Sequence, residues 1–179
     1  MSKLNAKTIT IAAMFIALSV ILNFFNLPVS NIIEIQFNFL PIAAAGAMLG
    51  PLVGGLSGGI ADVLGYFVKP TGYFFPGFTL SAAITGIIFG IVFRKGATFK
   101  NVVIGQILNT VIVGMLLTSL WLTMMFGPSF HAVFAARFLK ELILLPINIG
   151  IFYATIKPIY HYGFPVISAS KASHKDIAA

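Results

Sequence analysis

The chain has 179 residues, of which 59% are hydrophobic and 8% are charged, with a net charge of +7 and a mean hydropathy of +1.02. A soluble domain has about a quarter of its residues charged, so this composition excludes a soluble protein and places the chain in a membrane. Cysteine is absent, which excludes a disulfide framework and a thiolate metal site. The basic residues are scattered singly and predict no nucleic-acid surface.

Apolar stretches follow one another along the chain, and about 20 residues suffice to cross a bilayer as a helix. We predict an all-α integral membrane protein with six transmembrane helices in one domain, residues 1–160. The predicted helices cover residues 7–25, 38–50, 51–68, 78–93, 102–126 and 132–156. The second and third are contiguous and break at Gly50-Pro51. Residues 161–179 form a polar cytoplasmic tail, and the chain after Pro158 is expected to be loose.

Basic residues fall on one side of this six-helix arrangement, and cytoplasmic flanks carry the lysine and arginine excess. They are Lys3, Lys7, Arg94, Lys95, Lys100, Lys157, Lys171 and Lys175. Both termini are therefore predicted to be cytoplasmic. The loops 27–36, 69–77 and 127–131 then face the outside, where aromatics and prolines concentrate, and a ligand site is predicted to open outward.

The loop from Lys69 to Gly77 combines proline and glycine turn chemistry with three large rings, Tyr73, Phe74 and Phe75. One interpretation is a tight hairpin whose rings anchor the protein at the membrane interface. The other is a lid over a flat apolar ligand, because such rings bind flat ligands well. Both interpretations stay open at the level of the sequence.

Ionisable residues inside membrane helices are costly and are functional candidates by default. Asp62 lies in the third helix, and Arg137, Lys140 and Glu141 lie in the outer part of the sixth. Arg137 and Glu141 are four residues apart and share a helix face, so they are either a structural pair or part of a binding site. In a site, Arg137 and Lys140 would clamp a carboxylate, and Asp62 would accept hydrogen bonds from a donor-rich ring.

Other polar and aromatic side chains are candidates to orient a ligand, although a structural role is expected for most of the polar ones. They are Gln36, Tyr66, Tyr73, Phe74, Phe78, Thr79, Ser81, Asn109, Thr118 and Trp121. No phosphate-binding G-x-x-x-x-G-K-[ST] loop is present, which excludes ATP hydrolysis by that route. The three histidines have no helix-spaced partner, so no metal site, catalytic residue or cofactor is predicted.

Small residues four apart indicate where helices approach closely. Gly46 and Gly50, Gly54 and Gly58, Gly55 and Gly59, and Gly86 and Gly90 are such pairs, and we expect internal packing at them. Ala13 and Ala17 form a similar pair in the first helix. That pair is compatible with internal packing or with docking of another helix.

The runs LGPLVGGLSGGIADVLGYFVK (residues 49–69) and PTGYFFPGFTLSAAITGIIFG (residues 70–90) resemble the substrate-binding S components of energy-coupling factor (ECF) vitamin transporters, most closely the folate-specific group. The resemblance covers nearly the whole chain, and Ala13 and Ala17 match the family's A-x-x-x-A docking signature. It implies a non-enzymatic, multi-pass subunit of a bacterial cell membrane. This subunit would capture folate from outside and work with a transmembrane coupling subunit and two ATPase subunits.

Several alternatives remain at this stage. Within the same family, the ligand would be another vitamin or a queuosine precursor. Outside it, the chain would be a stand-alone small membrane carrier, although no internal repeat is evident. A membrane-integral enzyme would need polar groups converging on one face, and only Arg137 and Glu141 come near that arrangement.

Overall fold

A computed structural model describes residues 6–25, 27–28, 34–35, 37–70, 73–96, 98–127 and 130–176. Nearly all of this is helical: α1 Ala6–Leu22, α2 Phe39–Leu49, α3 Pro51–Val68, α4 Pro76–Val92, α5 Phe99–Asn109, a π-helix Thr110–Leu117, α6 Thr118–Phe126 and α7 Phe130–Asp176. The connection from α1 to α2, predicted to be a loop, contains two short antiparallel strands, β1 Leu27–Pro28 and β2 Glu34–Ile35. Because α5, the π-helix and α6 run on without a break, they make one long helix.

Within the described residues, four helices are long and apolar enough to cross a membrane: Ala6–Phe25, Pro51–Val68, Phe99–Met125 and Val133–Pro158. The apolar helices α2 and α4 are shorter, with 11 and 17 residues. We call the end of the bundle where residues 69–75 join α3 to α4 the hairpin end, and the opposite end the basic end. The α6 to α7 connection also lies at the hairpin end.

The break between α2 and α3 lies at Gly50 and Pro51, as the sequence predicts. Gly50 has φ of +94°, a conformation that favours glycine, and its N–H donates to the carbonyl of Gly46 at 2.9 Å. Pro51 is the first residue of α3, where its missing N–H costs no helical hydrogen bond. This pair turns the chain sharply and lets α2 and α3 pack together.

Glycines bring the backbones of α2, α3 and α4 into direct contact. A Cβ at Gly86 would overlap the carbonyl of Gly54, and one at Gly46 would overlap the carbonyl of Gly86. All residues of α2 from Leu40 to Ala47 are buried. The prediction that the glycine pairs serve internal packing is therefore confirmed at these positions.

An aromatic cluster closes the bundle toward the basic end. The ring of Phe152 lies 4.8 Å from that of Phe89 and 5.8 Å from that of Phe93, centroid to centroid, and all three side chains are buried. Phe15 of α1 and Val102 of α5 belong to the same core. The cluster fixes α4, α5 and α7 against the α1 to α3 part of the bundle.

Helix α7 extends beyond its predicted end. We expected the helix to stop near Ile156 and the chain after Pro158 to be loose, but helix continues to Asp176. A proline inside a helix removes one backbone donor and its ring crowds the carbonyl four residues earlier, but its fixed φ is compatible with helix, and α7 continues through Pro158. Polar composition alone was an insufficient reason to predict a loose tail.

Candidate ligand-binding site

Three aromatic side chains meet at the hairpin end. The ring of Phe75 lies 5.6 Å from that of Trp121 in α6 and 6.1 Å from that of Phe78 in α4. The indole N–H of Trp121 donates to the Ser81 hydroxyl at 3.0 Å. Gly77 is buried between them, because a Cβ there would lie 2.6 Å from the Trp121 ring. The hairpin is thus packed onto α6 through Phe75.

The other two rings of the hairpin lie apart from this group. Phe74 packs on Tyr66 of α3 at 5.1 Å, whereas Tyr73 is 87% exposed. Lys69, which precedes the hairpin, donates from Nζ to the backbone carbonyl of Asn23 at 3.3 Å. Of the predicted aromatic candidates, Phe78 and Trp121 are therefore brought together, while Tyr66 and Phe74 form a separate pair and Tyr73 points outward.

Asp62 and Thr79 lie on a different side of α4 from Trp121. Thr79 donates from Oγ1 to Asp62 Oδ2 at 2.7 Å across the α3–α4 interface. Ser81, two residues further along α4, faces α6 instead. The Asp62 partner Thr79 also borders an apolar groove of about 340 Å³ that is lined by Leu56, Gly59, Ile60, Val63 and Leu64.

The cations predicted for a carboxylate clamp lie on α7 beside the π-helix. Arg137 is 9% exposed and donates from Nη1 to the carbonyl of Gly114 at 3.3 Å. Lys140 Nζ lies 3.7 Å from Glu141 Oε1. The Glu141 carboxylate reaches Gly114 as well, since a Cβ there would lie 3.0 Å from its Cδ. Two cations and one carboxylate thus gather around a single glycine of the π-helix.

The sequence analysis missed a second set of polar groups, on the long helix formed by α5, the π-helix and α6. Gln106, Thr110 and Ser119 are buried, and their oxygens Oε1, Oγ1 and Oγ have no hydrogen-bond partner. Asn109, on the neighbouring face toward α4, does have a partner, because Thr85 donates to its Oδ1 at 2.8 Å. With Gly114 included, these positions follow one another at steps of four, four and five residues, from Gln106 to Thr110, Gly114 and Ser119. Once the π-helix is known, this spacing places them on one face.

Two further candidates from the sequence are Gln36 and Thr118. Gln36 lies outside the described residues. The hydroxyl of Thr118 donates to the carbonyl of Val113 at 2.6 Å, within its own helix. Among the described residues, no group of three or more His, Asp or Glu side chains could hold a metal ion.

The Ala13 and Ala17 pair lies on an exposed face of α1. Both alanines are exposed, together with Met14 and Leu18, and only Phe15 and Ser19 of this helix are buried. Ser19 donates to the backbone carbonyl of Asn38 at 2.8 Å, which ties α1 to the start of α2. Within the chain the alanine pair is therefore not a packing surface.

A family comparison decides what kind of protein has this arrangement. The family described as ECF transporter, substrate-specific component, matches residues 7–156. The chain belongs to this family. It is also 36% identical over 146 residues to the folate transporter FolT of Clostridium novyi (strain NT). The aligned region covers 81% of this S component and 85% of the relative. FolT of Leuconostoc mesenteroides subsp. mesenteroides is 32% identical over 160 residues, covering 84% and 85%.

Solved structures agree with this family assignment. A crystal structure of FolT bound with folic acid superposes with a TM-score of 0.76 at 33% identity, covering 83% of this S component and 92% of that chain. The S component for biotin from an ECF-type ABC transporter has a TM-score of 0.63 at 19% identity, covering 88% and 94%, and shows the fold alone. The predicted all-α, multi-pass membrane fold is confirmed.

Proposed function

We propose that this S component captures folate from the outer side of the membrane and delivers it to an ECF module that drives its uptake. The observation that carries the proposal is the likeness to FolT with folic acid bound, which extends over most of both chains. The identities to two FolT relatives, 36% and 32%, support the same ligand.

The chemistry at the hairpin end suits such a ligand. Folate combines flat aromatic systems with a glutamate tail that carries two carboxylates. Phe75 and Trp121 supply flat apolar surface, and Arg137 and Lys140 supply positive charge within the outer part of α7. Because a guanidinium matches a carboxylate in a planar, two-point geometry, Arg137 is the stronger candidate for the tail.

The experiment that tests the ligand is isothermal calorimetry of the purified protein against a vitamin panel. We expect saturable binding of folate and no heat from biotin, thiamin or riboflavin at the same concentration. Preferential binding of any other vitamin would reject folate while leaving the family assignment intact.

We propose that the basic end faces the cytoplasm. The exposed cations Arg94, Lys100 and Lys157 lie at that end, and cytoplasmic flanks carry the lysine and arginine excess. The hairpin end then faces outward, where the ligand is captured. The sequence has no phosphate-binding loop. The energy for uptake of the ligand then comes from partner subunits, a transmembrane coupling protein and two ATPases.

A first prediction concerns the docking of the coupling subunit on Ala13 and Ala17. Small residues let a partner helix approach closely, so the double substitution Ala13→Trp, Ala17→Trp should remove most of the complex. Co-purification of the tagged S component with the ECF module measures this. Folate affinity of the isolated double variant should be unchanged, because neither alanine contacts the hairpin end. Normal recovery of the complex would contradict the assignment of this face.

A second prediction concerns the hairpin as a lid over the site. Phe75→Ala should speed folate release by about two- to tenfold, because aromatic contacts contribute about 0.5 to 1.5 kcal/mol and their loss is felt in the dissociation rate. Stopped-flow displacement gives the rate. Tyr73→Ala is the matched control: its ring is in the same hairpin but 87% exposed, so release should stay as in the unmodified protein. Equal rates in all three proteins would leave the hairpin as a membrane anchor.

A further inference from the structure

Helix α7 continues past the part of the chain that matches the ECF family. The family match ends at residue 156 and the apolar span ends at Pro158, but the helix runs on to Asp176. We call residues 159–176 the tail helix. If it is straight, it carries its far end about 27 Å away from the span, at the rise of an α-helix.

The side chains at the root of the tail helix mark the surface of the bilayer. Tyr153 packs edge-on against Phe99 of α5, with ring centroids 5.2 Å apart, and Lys157 Nζ lies 5.6 Å from the centre of the Tyr153 ring. Phe99 and Lys157 are exposed. Tyrosine at the headgroup level and lysine near the end of a membrane helix are typical of this boundary. The tail helix therefore begins at the lipid headgroups.

The first half of the tail helix is rich in apolar and aromatic residues, although it lies beyond the span. They are Ile159, Tyr160, Tyr162, Phe164, Val166 and Ile167. By helical register they occupy an arc of little more than half of the helix, and His161, Pro165 and Ser168 occupy the rest. We call the first set the apolar arc. A straight tail helix would hold the apolar arc in water.

The charge at this end of the protein has one sign. Lys171 and Lys175 belong to the tail helix, and of the four acidic residues in the sequence only Asp176 does. Exposed cations at the same end of the bundle are Arg94, Lys100 and Lys157. Positive charge that directly follows a membrane span attracts anionic lipid headgroups. A basic segment with an apolar arc, tethered at the bilayer surface, is typical of a helix that lies in that surface.

Prolines provide places where the tail helix can bend toward the bilayer. Sharp bends in helices occur mostly at proline, because one backbone hydrogen bond is missing and the ring crowds the carbonyl four residues earlier. Pro158 lies at the root of the tail helix, and Gly163 and Pro165 follow. Glycine and proline are also the weakest helix formers, so little intrinsic propensity keeps this segment straight in water.

We propose that the tail helix is a membrane-surface anchor. It bends near Pro158 and lies on a bilayer surface that contains anionic lipids, with the apolar arc at the headgroup boundary and Lys171 and Lys175 beside lipid phosphates. This inference goes beyond the capture of folate and does not depend on it.

The test places a probe in the tail helix of the full-length protein. Because the chain has no cysteine, Ser170→Cys can be labelled at that position alone with the fluorophore bimane. The labelled protein is reconstituted in nanodiscs of phosphatidylcholine, with or without phosphatidylglycerol, and each disc contains a nitroxide lipid that quenches bimane on contact. We expect strong quenching in the anionic discs, weak quenching in the neutral discs, and loss of the difference at high salt.

Charge and apolar variants of the labelled protein separate the two contributions. Lys171→Gln with Lys175→Gln should lower the ratio of bound to free tail helix about thirtyfold, because each lysine at an anionic surface changes it about fivefold. Tyr162→Ser with Phe164→Ser should also lower the quenching. Lys100→Gln is the matched control: it removes an exposed cation at the same end but outside the tail helix, so quenching should stay unchanged.

Each contrary result overturns the proposal in a different way. Weak quenching in both kinds of disc would show that the tail helix does not reach the bilayer. Equal quenching in both, or unchanged quenching in the double lysine variant, would reject a role for anionic lipid. Protection of the label from aqueous iodide only after the coupling and ATPase subunits are added would show that the tail helix binds protein and not lipid. Folate affinity should be the same in all variants, so its measurement tests the proposed function separately.

Discussion

Replacing Arg137 by alanine is expected to weaken folate binding by about ten- to a hundredfold, since a charge-assisted hydrogen bond contributes about 1.5 to 3 kcal/mol. Arg137 is buried on α7, and its guanidinium is oriented by the Gly114 carbonyl at 3.3 Å. Pteroate keeps the pteridine and the benzoyl ring of folate but lacks the glutamate, so its affinity should fall much less in the same variant. Calorimetry with the two ligands measures the difference directly.

The alternative for Arg137 is a purely structural role beside Glu141. Removing Arg137 would then leave the buried Glu141 carboxylate with less positive charge beside it, which lowers the stability of the protein with and without ligand. Equal losses for folate and pteroate together with a lowered melting temperature would show this. Arg137→Lys is the matched variant: it keeps the charge but loses the planar two-point geometry, so a carboxylate clamp predicts an intermediate affinity.

The helix order and the break at Gly50-Pro51 were predictable from the sequence, because apolar length and proline and glycine chemistry act locally. The predicted helix bounds differ from those of the structure by only a few residues up to Phe126. The exposed Ala13 and Ala17 could be found as a pair, but whether they face the bundle or the outside depends on how α1 packs. Only the structure answers that question, since α1 is nearly uniform in hydrophobicity.

The candidate site was less predictable. Thr79 and Ser81 look equivalent in the sequence, yet a helix turns about 100° per residue, so they face α3 and α6 respectively. The π-helix TVIVGMLL has the composition of an ordinary apolar helix, so nothing in the sequence indicates its wider turn. Without that turn, a step of five residues does not place Ser119 on the same face as Thr110, which is why the buried set Gln106, Thr110 and Ser119 was missed.

The largest effect on stability is expected at Gly86, where α3 and α4 touch backbone to backbone. A Cβ there would overlap the carbonyl of Gly54, and backbone atoms cannot move aside as a flexible side chain can. Overpacking typically costs up to about 3 kcal/mol, and this contact lies at the upper limit. Gly86→Ala should therefore lower the melting temperature strongly or prevent recovery of a monodisperse protein, as thermal unfolding and size-exclusion chromatography in detergent would show.

Gly59→Ala provides the control for the Gly86 prediction. The two glycines lie in neighbouring helices, but a Cβ at Gly59 would meet the methyl groups of Thr79 at 3.8 Å and Ala83 at 4.0 Å, both ordinary contacts. Alanine is favoured over glycine inside a helix by about 0.5 to 1 kcal/mol, so this variant should melt at the same temperature as the unmodified protein or slightly higher. Equal melting of both variants would contradict the close approach of α3 and α4, because helix propensity alone treats the two positions alike.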